Sequence, residues 1–134
     1  MLSRFLMAII LAGFAAPAFA AEEPTIGDLR CEYWHQPLNV DVAYPRLSWV
    51  FRSDHRGEAQ HAYQVLVAST VSSLAQDRGD LWDSGKISSD QSIQIPYAGV
   101  PLKSGLQCFW KVRVWDKSDQ PSLWSRPGFW SMGL

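Results

Sequence analysis

Leu106-Gln107-Cys108-Phe109-Trp110-Lys111-Val112-Arg113-Val114-Trp115 is the stretch that decides the fold. Leu106, Cys108, Trp110, Val112 and Val114 recur with a period of two, while Lys111 and Arg113 stand opposite them. That alternation predicts a long strand with one face in a core. The same period runs through Arg46-Leu47-Ser48-Trp49-Val50-Phe51-Arg52, which puts Leu47, Trp49 and Phe51 on one face behind a proline, Pro45, at a tolerated strand start. Trp49 and Trp110 are therefore the expected centre of the core.

Outward from these two runs, Ala62-Tyr63-Gln64-Val65-Leu66-Val67-Ala68 is apolar on both faces and predicts a central strand. Residues 29–34 alternate roughly and end near Pro37, residues 81–87 read as a short edge strand with a bulge at Gly85, and residues 92–97 alternate up to Pro96. Residues 124–132 supply a last strand. Residues 53–60 are polar and hold Gly57, as a turn does, and residues 69–79 carry Val71, Leu74 and Ala75 at helical spacing over a span too short for more than one turn of helix. Seven strand-like runs without a substantial helix predict an all-β fold, a seven-stranded antiparallel two-sheet sandwich over residues 29–134. Leu102, Leu106 and Cys108 resemble the corner of a fibronectin type III module, with Cys108 at the place of its usual corner tyrosine.

Residues 5–20 are almost wholly apolar behind Arg4 and close with Ala18-Phe19-Ala20, which predicts a signal peptide cut after Ala20 and export to the periplasm or the medium. The run is shorter than the roughly 20 residues that cross a bilayer. Residues 21–28 read as a polar lead-in, and residues 21–134 suffice for one domain with its own core. A formal net charge of −1 without a Lys/Arg cluster argues against nucleic acid and against an anionic membrane as partners. All seven tryptophans fall after the leader, as in a globular domain. Cys31 and Cys108 are the two cysteines. Export permits a disulfide between them; two small buried hydrophobes are the other reading.

Several strings taken together resemble the amino-terminal immunoglobulin-like, fibronectin-like module of secreted bacterial α-L-rhamnosidases, glycoside hydrolase family 78. They are Leu29-Arg30-Cys31-Glu32-Tyr33, Pro45-Arg46-Leu47-Ser48-Trp49, Gln60-His61-Ala62-Tyr63-Gln64-Val65-Leu66-Val67-Ala68, Leu81-Trp82-Asp83-Ser84-Gly85-Lys86 and Phe109-Trp110-Lys111-Val112-Arg113-Val114-Trp115-Asp116. Their order and spacing run through nearly all of residues 21–134. Leu38-Asn39-Val40 departs from the Gly-Ile-Asp type of turn common in relatives. The resemblance implies further β-domains and a helical toroid beyond this module, with the catalytic acids in the toroid and no counterpart among these residues. It also implies that the chain is a fragment, a truncated reading frame or a domain standing alone.

The residues that could carry chemistry here are few. Glycoside hydrolysis needs two carboxylates across a cleft. Asp77, Asp80 and Asp83 are the one carboxylate cluster, in a loop and an edge strand where solvated turn residues are the rule. A calcium loop would need alternating oxygen ligands and a bidentate Glu, which are missing. His35, His55 and His61 lack metal-ligand spacing, and Ser48, Ser84 and Ser125 lack a nucleophile-elbow setting. Arg78-Gly79-Asp80 spells an adhesion tripeptide and also an ordinary turn. No cofactor is indicated. Trp82, Trp115, Trp124 and Trp130 are the ligand or interface candidates: they could pack at sheet edges, lie under a neighbouring domain, or form a sugar platform.

These features lead first to a non-catalytic structural and docking module of an exported α-L-rhamnosidase, whose partners are the remaining domains of that glycosidase. A stand-alone carbohydrate-binding module for rhamnose-containing glycans is the second reading. A protein-binding fibronectin-like domain is the third.

Overall fold

The structure is a computed structural model that describes residues 24–53 and 59–134. The leader, residues 21–23 of the lead-in, His55 and Gly57 lie outside the described residues. Among these residues there are eight strands and one short helix: β1 (Thr25–Cys31), β2 (Arg46–Arg52), β3 (Ala62–Ala68), α1 (Val71–Ala75), β4 (Trp82–Asp83), β5 (Ile87–Ser88), β6 (Ile95–Pro96), β7 (Gln107–Trp115) and β8 (Gly128–Ser131). One sheet has the order β1-β2-β6. The other runs β4-β3-β7-β8, with β5 also on β3, and every strand pair is antiparallel.

The alternation of β7 is realised as read. Cys108, Trp110, Val112 and Val114 are buried between the sheets, together with Tyr63, Val65 and Val67 of β3 and Leu47 and Trp49 of β2. β3 is the central strand, with β7 along its whole length on one side and β4 and β5 on the other. A second, smaller cluster lies on the outer face of the larger sheet, where Leu74 of α1 packs on Leu66 and Ala68 under Phe109 and Trp124. Thr70 caps that single helical turn by accepting from the Ser73 N–H.

The strand boundaries differ from the sequence reading where the backbone leaves the pleat. β1 begins at Thr25, inside the stretch read as lead-in, because Thr25, Ile26 and Gly27 pair with Arg52, Phe51 and Val50. A bulge between Gly27 and Arg30, with Asp28 at φ 52°, then inserts an extra residue. Ile26 and Leu29 therefore both face the core although three positions separate them. The strand stops at Cys31, where Glu32 and Tyr33 take positive φ. The single edge strand expected over 81–87 is two short pieces divided at Gly85, whose φ is 63°. The run over 92–97 is reduced to Ile95–Pro96, because Gln94 at φ 57° turns Ile93 out to solvent. The last strand is confined to β8, with Ser122 and Ser125 only tethered to Val114 and Val112 of β7 by backbone bonds.

Two buried polar contacts join the sheets. Trp49 Nε1 donates to Gln60 Oε1 at 2.9 Å, and Gln60 Nε2 donates to the Ser89 and Gln91 carbonyls. Tyr97, fully buried, places its hydroxyl 3.0 Å from the Leu81 carbonyl and 2.6 Å from that of Val100. Tyr97 thus supplies a corner hydrogen bond for the 81–100 connection, while Cys108 simply fills core.

Candidate functional site

Three of the four tryptophans singled out from the sequence do not present a free ring. Trp130 is completely buried beside Tyr97, their rings 6.2 Å apart edge to face, so it offers no surface to a ligand or a neighbouring domain. Its Nε1 has no hydrogen-bond partner. Its position opposite Cys108 on β7 explains the burial: that register points inward. Trp115 and Trp124 lie on the outer face of the larger sheet in a column of alternating cations and rings. Lys86 Nζ stands 5.0 Å over Trp115, Arg113 lies 4.9 Å over Trp115 and 4.6 Å over Trp124, and Lys111 Nζ lies 4.8 Å over Trp124. The cations are themselves held: Lys111 donates to Asp77, Arg113 to Gln64, Lys86 to Asp119. A pyranose could reach these rings only by displacing a bound cation. Trp82 is half-buried and packs edge to face on Tyr97 at 5.5 Å.

The remaining candidates resolve into structural roles. Asp77 is the partner of Lys111, Asp83 accepts from Gln64 and the Gly85 N–H, and Asp80 accepts from the Ser69 N–H and hydroxyl. Partial burial works to raise the pKa of Asp80, but the Ser69 bonds together with the backbone N–H groups of Asp80 and Leu81 outweigh it and hold the carboxyl below its ordinary value. Gly79 is required by packing, since a Cβ there would meet the Trp82 carbonyl oxygen at 2.2 Å. His35 and His61 are exposed, His35 bonding Asp28 at 2.6 Å, and no cluster of metal-ligating side chains occurs among the described residues. Cys31 and Cys108 are both buried free thiols in the same core cluster, so the disulfide considered above is not formed in this structure. Burial, above all, pushes each thiol up to about 12.

Five exposed large apolar side chains lie together elsewhere, in the connection between β1 and β2. Trp34 is 71% exposed and Leu38 68%, with Tyr33, Val42 and Tyr44 also exposed. Trp34, Pro37, Leu38, Val40 and Val42 line one shallow groove of about 300 Å³. This is not a loose loop. Cys31 and Trp34 exchange backbone hydrogen bonds, Glu32 Oε2 receives Arg46 Nη2 at 2.8 Å, and the Arg46 guanidinium stacks on Tyr33. Val40 bridges in parallel to Met132, and the Val40 carbonyl accepts from Gly133. Glu32, Tyr33, Gln36 and Asn39 all hold positive φ, a concentration of backbone strain that persists only where the surroundings enforce it. The sequence reading misses this surface because it places Tyr33 and Trp34 at the end of a strand; the signal is the alternation of Leu38, Val40, Val42 and Tyr44 outside every expected strand.

Comparison with known proteins identifies the whole sandwich. Residues 26–134 match the family described as Rha78A-like, N-terminal immunoglobulin domain. An α-L-rhamnosidase of Streptomyces avermitilis is 50% identical over 103 residues, covering 77% of this chain and 10% of that protein. A crystal structure of a Streptomyces avermitilis α-L-rhamnosidase, described as complexed with L-rhamnose, superposes with a TM-score of 0.79 at 47% identity over 83% of this chain and 11% of the solved chain. The α-L-rhamnosidase structure from Dictyoglumus thermophilum gives a TM-score of 0.81 at 38% identity, over 86% of this chain and 13% of the other. The chain spans about a tenth of the length of the curated relatives it matches.

Proposed function

The chain belongs to the Rha78A-like, N-terminal immunoglobulin domain family, and from that premise we propose that it is the non-catalytic N-terminal β-sandwich of an exported α-L-rhamnosidase, serving the architecture of an enzyme that removes terminal α-L-rhamnose. One observation carries the reading: the match takes in all but the first residue of the described sandwich, while the relatives bearing that activity are about ten times longer than it. The chemistry of the chain supports it. A glycosidase acid must keep its proton near neutrality, which requires a raised carboxyl pKa. Among the described residues, the carboxylates whose pKa is displaced, Asp28, Glu32, Asp80 and Asp119, are all moved down. Each is engaged with a cation, a histidine or backbone N–H groups, the environment of a structural carboxylate.

The test is an aryl α-L-rhamnoside assay on the purified 134-residue chain beside a longer product of the same locus. The chain alone should release no aglycone at any pH, and the longer product should. Turnover by the 134-residue chain that disappears on changing Asp80 or Asp83 would overturn the proposal. Titration with rhamnosides, followed by tryptophan fluorescence, tests direct glycan binding; the occupied faces of Trp115 and Trp124 lead us to expect no change.

A further inference from the structure

We propose that the β1–β2 connection, with Trp34, Leu38 and Tyr44 at its surface, is the seat on which the next domain of the same polypeptide docks; this rests on the reading of the chain as the first domain of a longer enzyme. Three observations point there. The connection concentrates the exposed large apolar side chains, and an indole that is 71% exposed on a rigid turn is a poor surface for a soluble domain to leave in water. The strained backbone and the Glu32–Arg46 pair hold it in shape before any partner arrives, which lowers the ordering cost of association.

The third observation names the occupant. The segment 131–133 is stitched to this same connection: Ser131 N–H donates to the Pro37 carbonyl, Val40 N–H to Ser131, and Gly133 N–H to Val40. Val40 is also a wall of the groove. In a chain built like the relatives, whatever follows residue 134 leaves the sandwich beside Trp34 and Leu38. A domain tethered there is at high effective concentration over the groove, so even a modest apolar contact is occupied. The outer face of the larger sheet lacks this relation. Its tryptophans are already covered by Lys86, Arg113 and Lys111.

Hydroxyl-radical footprinting of the 134-residue chain and of the protein that continues past it decides the matter. Trp34, Leu38 and Tyr44 should oxidise readily in the short chain and at least several-fold more slowly in the long one, while exposed Val71 on α1 labels alike in both. Equal labelling of residues 34–44 in the two proteins, protection confined to the outer sheet face, or a gene product that stops at residue 134 overturns the proposal. Protection that grows with concentration in the short chain alone gives the surface to a second copy and also overturns it. Rhamnoside hydrolysis by the long protein is read separately. Activity without protection sinks the docking surface and leaves the proposed function standing, and protection without activity does the reverse.

Discussion

Trp110 packs its indole against Gly128, where an added Cβ would lie 2.5 Å from Nε1. The two positions form one lock, and substituting either breaks it differently. Trp110→Ala opens a cavity between the sheets and should cost about 3–5 kcal/mol in denaturant unfolding; Gly128→Ala overpacks the same contact and should cost roughly 1–3 kcal/mol. An unchanged midpoint in Trp110→Ala would remove Trp110 from the core. The cysteines give a prediction in pH. Their thiols are raised from an ordinary value of 9.0 to about 12 by burial, so the unfolded chain loses these protons first. Stability from this source is complete below pH 9 and is lost as pH climbs toward 12. A thiol reagent at pH 8 should find two groups only after denaturation; rapid reaction of the native chain would contradict the burial. At this scale the sequence was legible for Trp49 and Trp110, whose neighbours alternate. It was illegible for Tyr97 and Gln60, because a corner hydroxyl and a buried amide depend on carbonyls at 81, 89, 91 and 100 that no local pattern brings near.

The column Lys86, Trp115, Arg113, Trp124 and Lys111 behaves as an element of its own, although its members come from β7 and from the flanking connections. Arg113 is its centre, stacked on both rings and bonded to Gln64 at 3.0 Å. Arg113→Ala should destabilise the chain by about 1–2 kcal/mol through two lost cation–π contacts. Arg113→Lys, a point charge without the planar stack, should recover only part. If calorimetry finds both variants equal to the parent, the column is decoration. The β1–β2 connection responds to acid instead. The Arg46 guanidinium and backbone N–H hold Glu32 below its ordinary value, so the tether is complete above the usual glutamate value and is lost as pH falls from there through the lowered one. Protection of the amides over residues 32–46, taken relative to the unstructured exchange rate at each pH, should fall below the ordinary glutamate value of 4.5, and Glu32→Gln should show the lower protection already at neutrality; indifference to both would mean the turn holds itself. Long alternating strands were readable from the sequence. β1, β4, β5 and β6 were readable only in outline, since left-handed residues at 28, 85 and 94 break the period that the reading relies on.

For the molecule as a whole, the distinction that matters is between side chains that hold the sandwich together and those that wait on its surface. Trp34 and Leu38 lie outside both buried clusters, and apart from the groove they contact mainly water. Surface substitutions of that kind usually change stability by no more than about 0.5 kcal/mol. Trp34→Ser with Leu38→Ser should therefore leave the melting temperature of the 134-residue chain within about 2–4 °C of the parent. In the protein that continues past residue 134 the same pair should uncouple the N-terminal domain, splitting off an earlier unfolding transition, because the contact that ties this sandwich to its neighbour has lost its apolar centre. Large destabilisation of the short chain would show instead that Trp34 and Leu38 serve this domain's own packing. Such a result would also mean that the strained turn at residues 32–39 exists for the sandwich itself and that a neighbouring domain docks on another face.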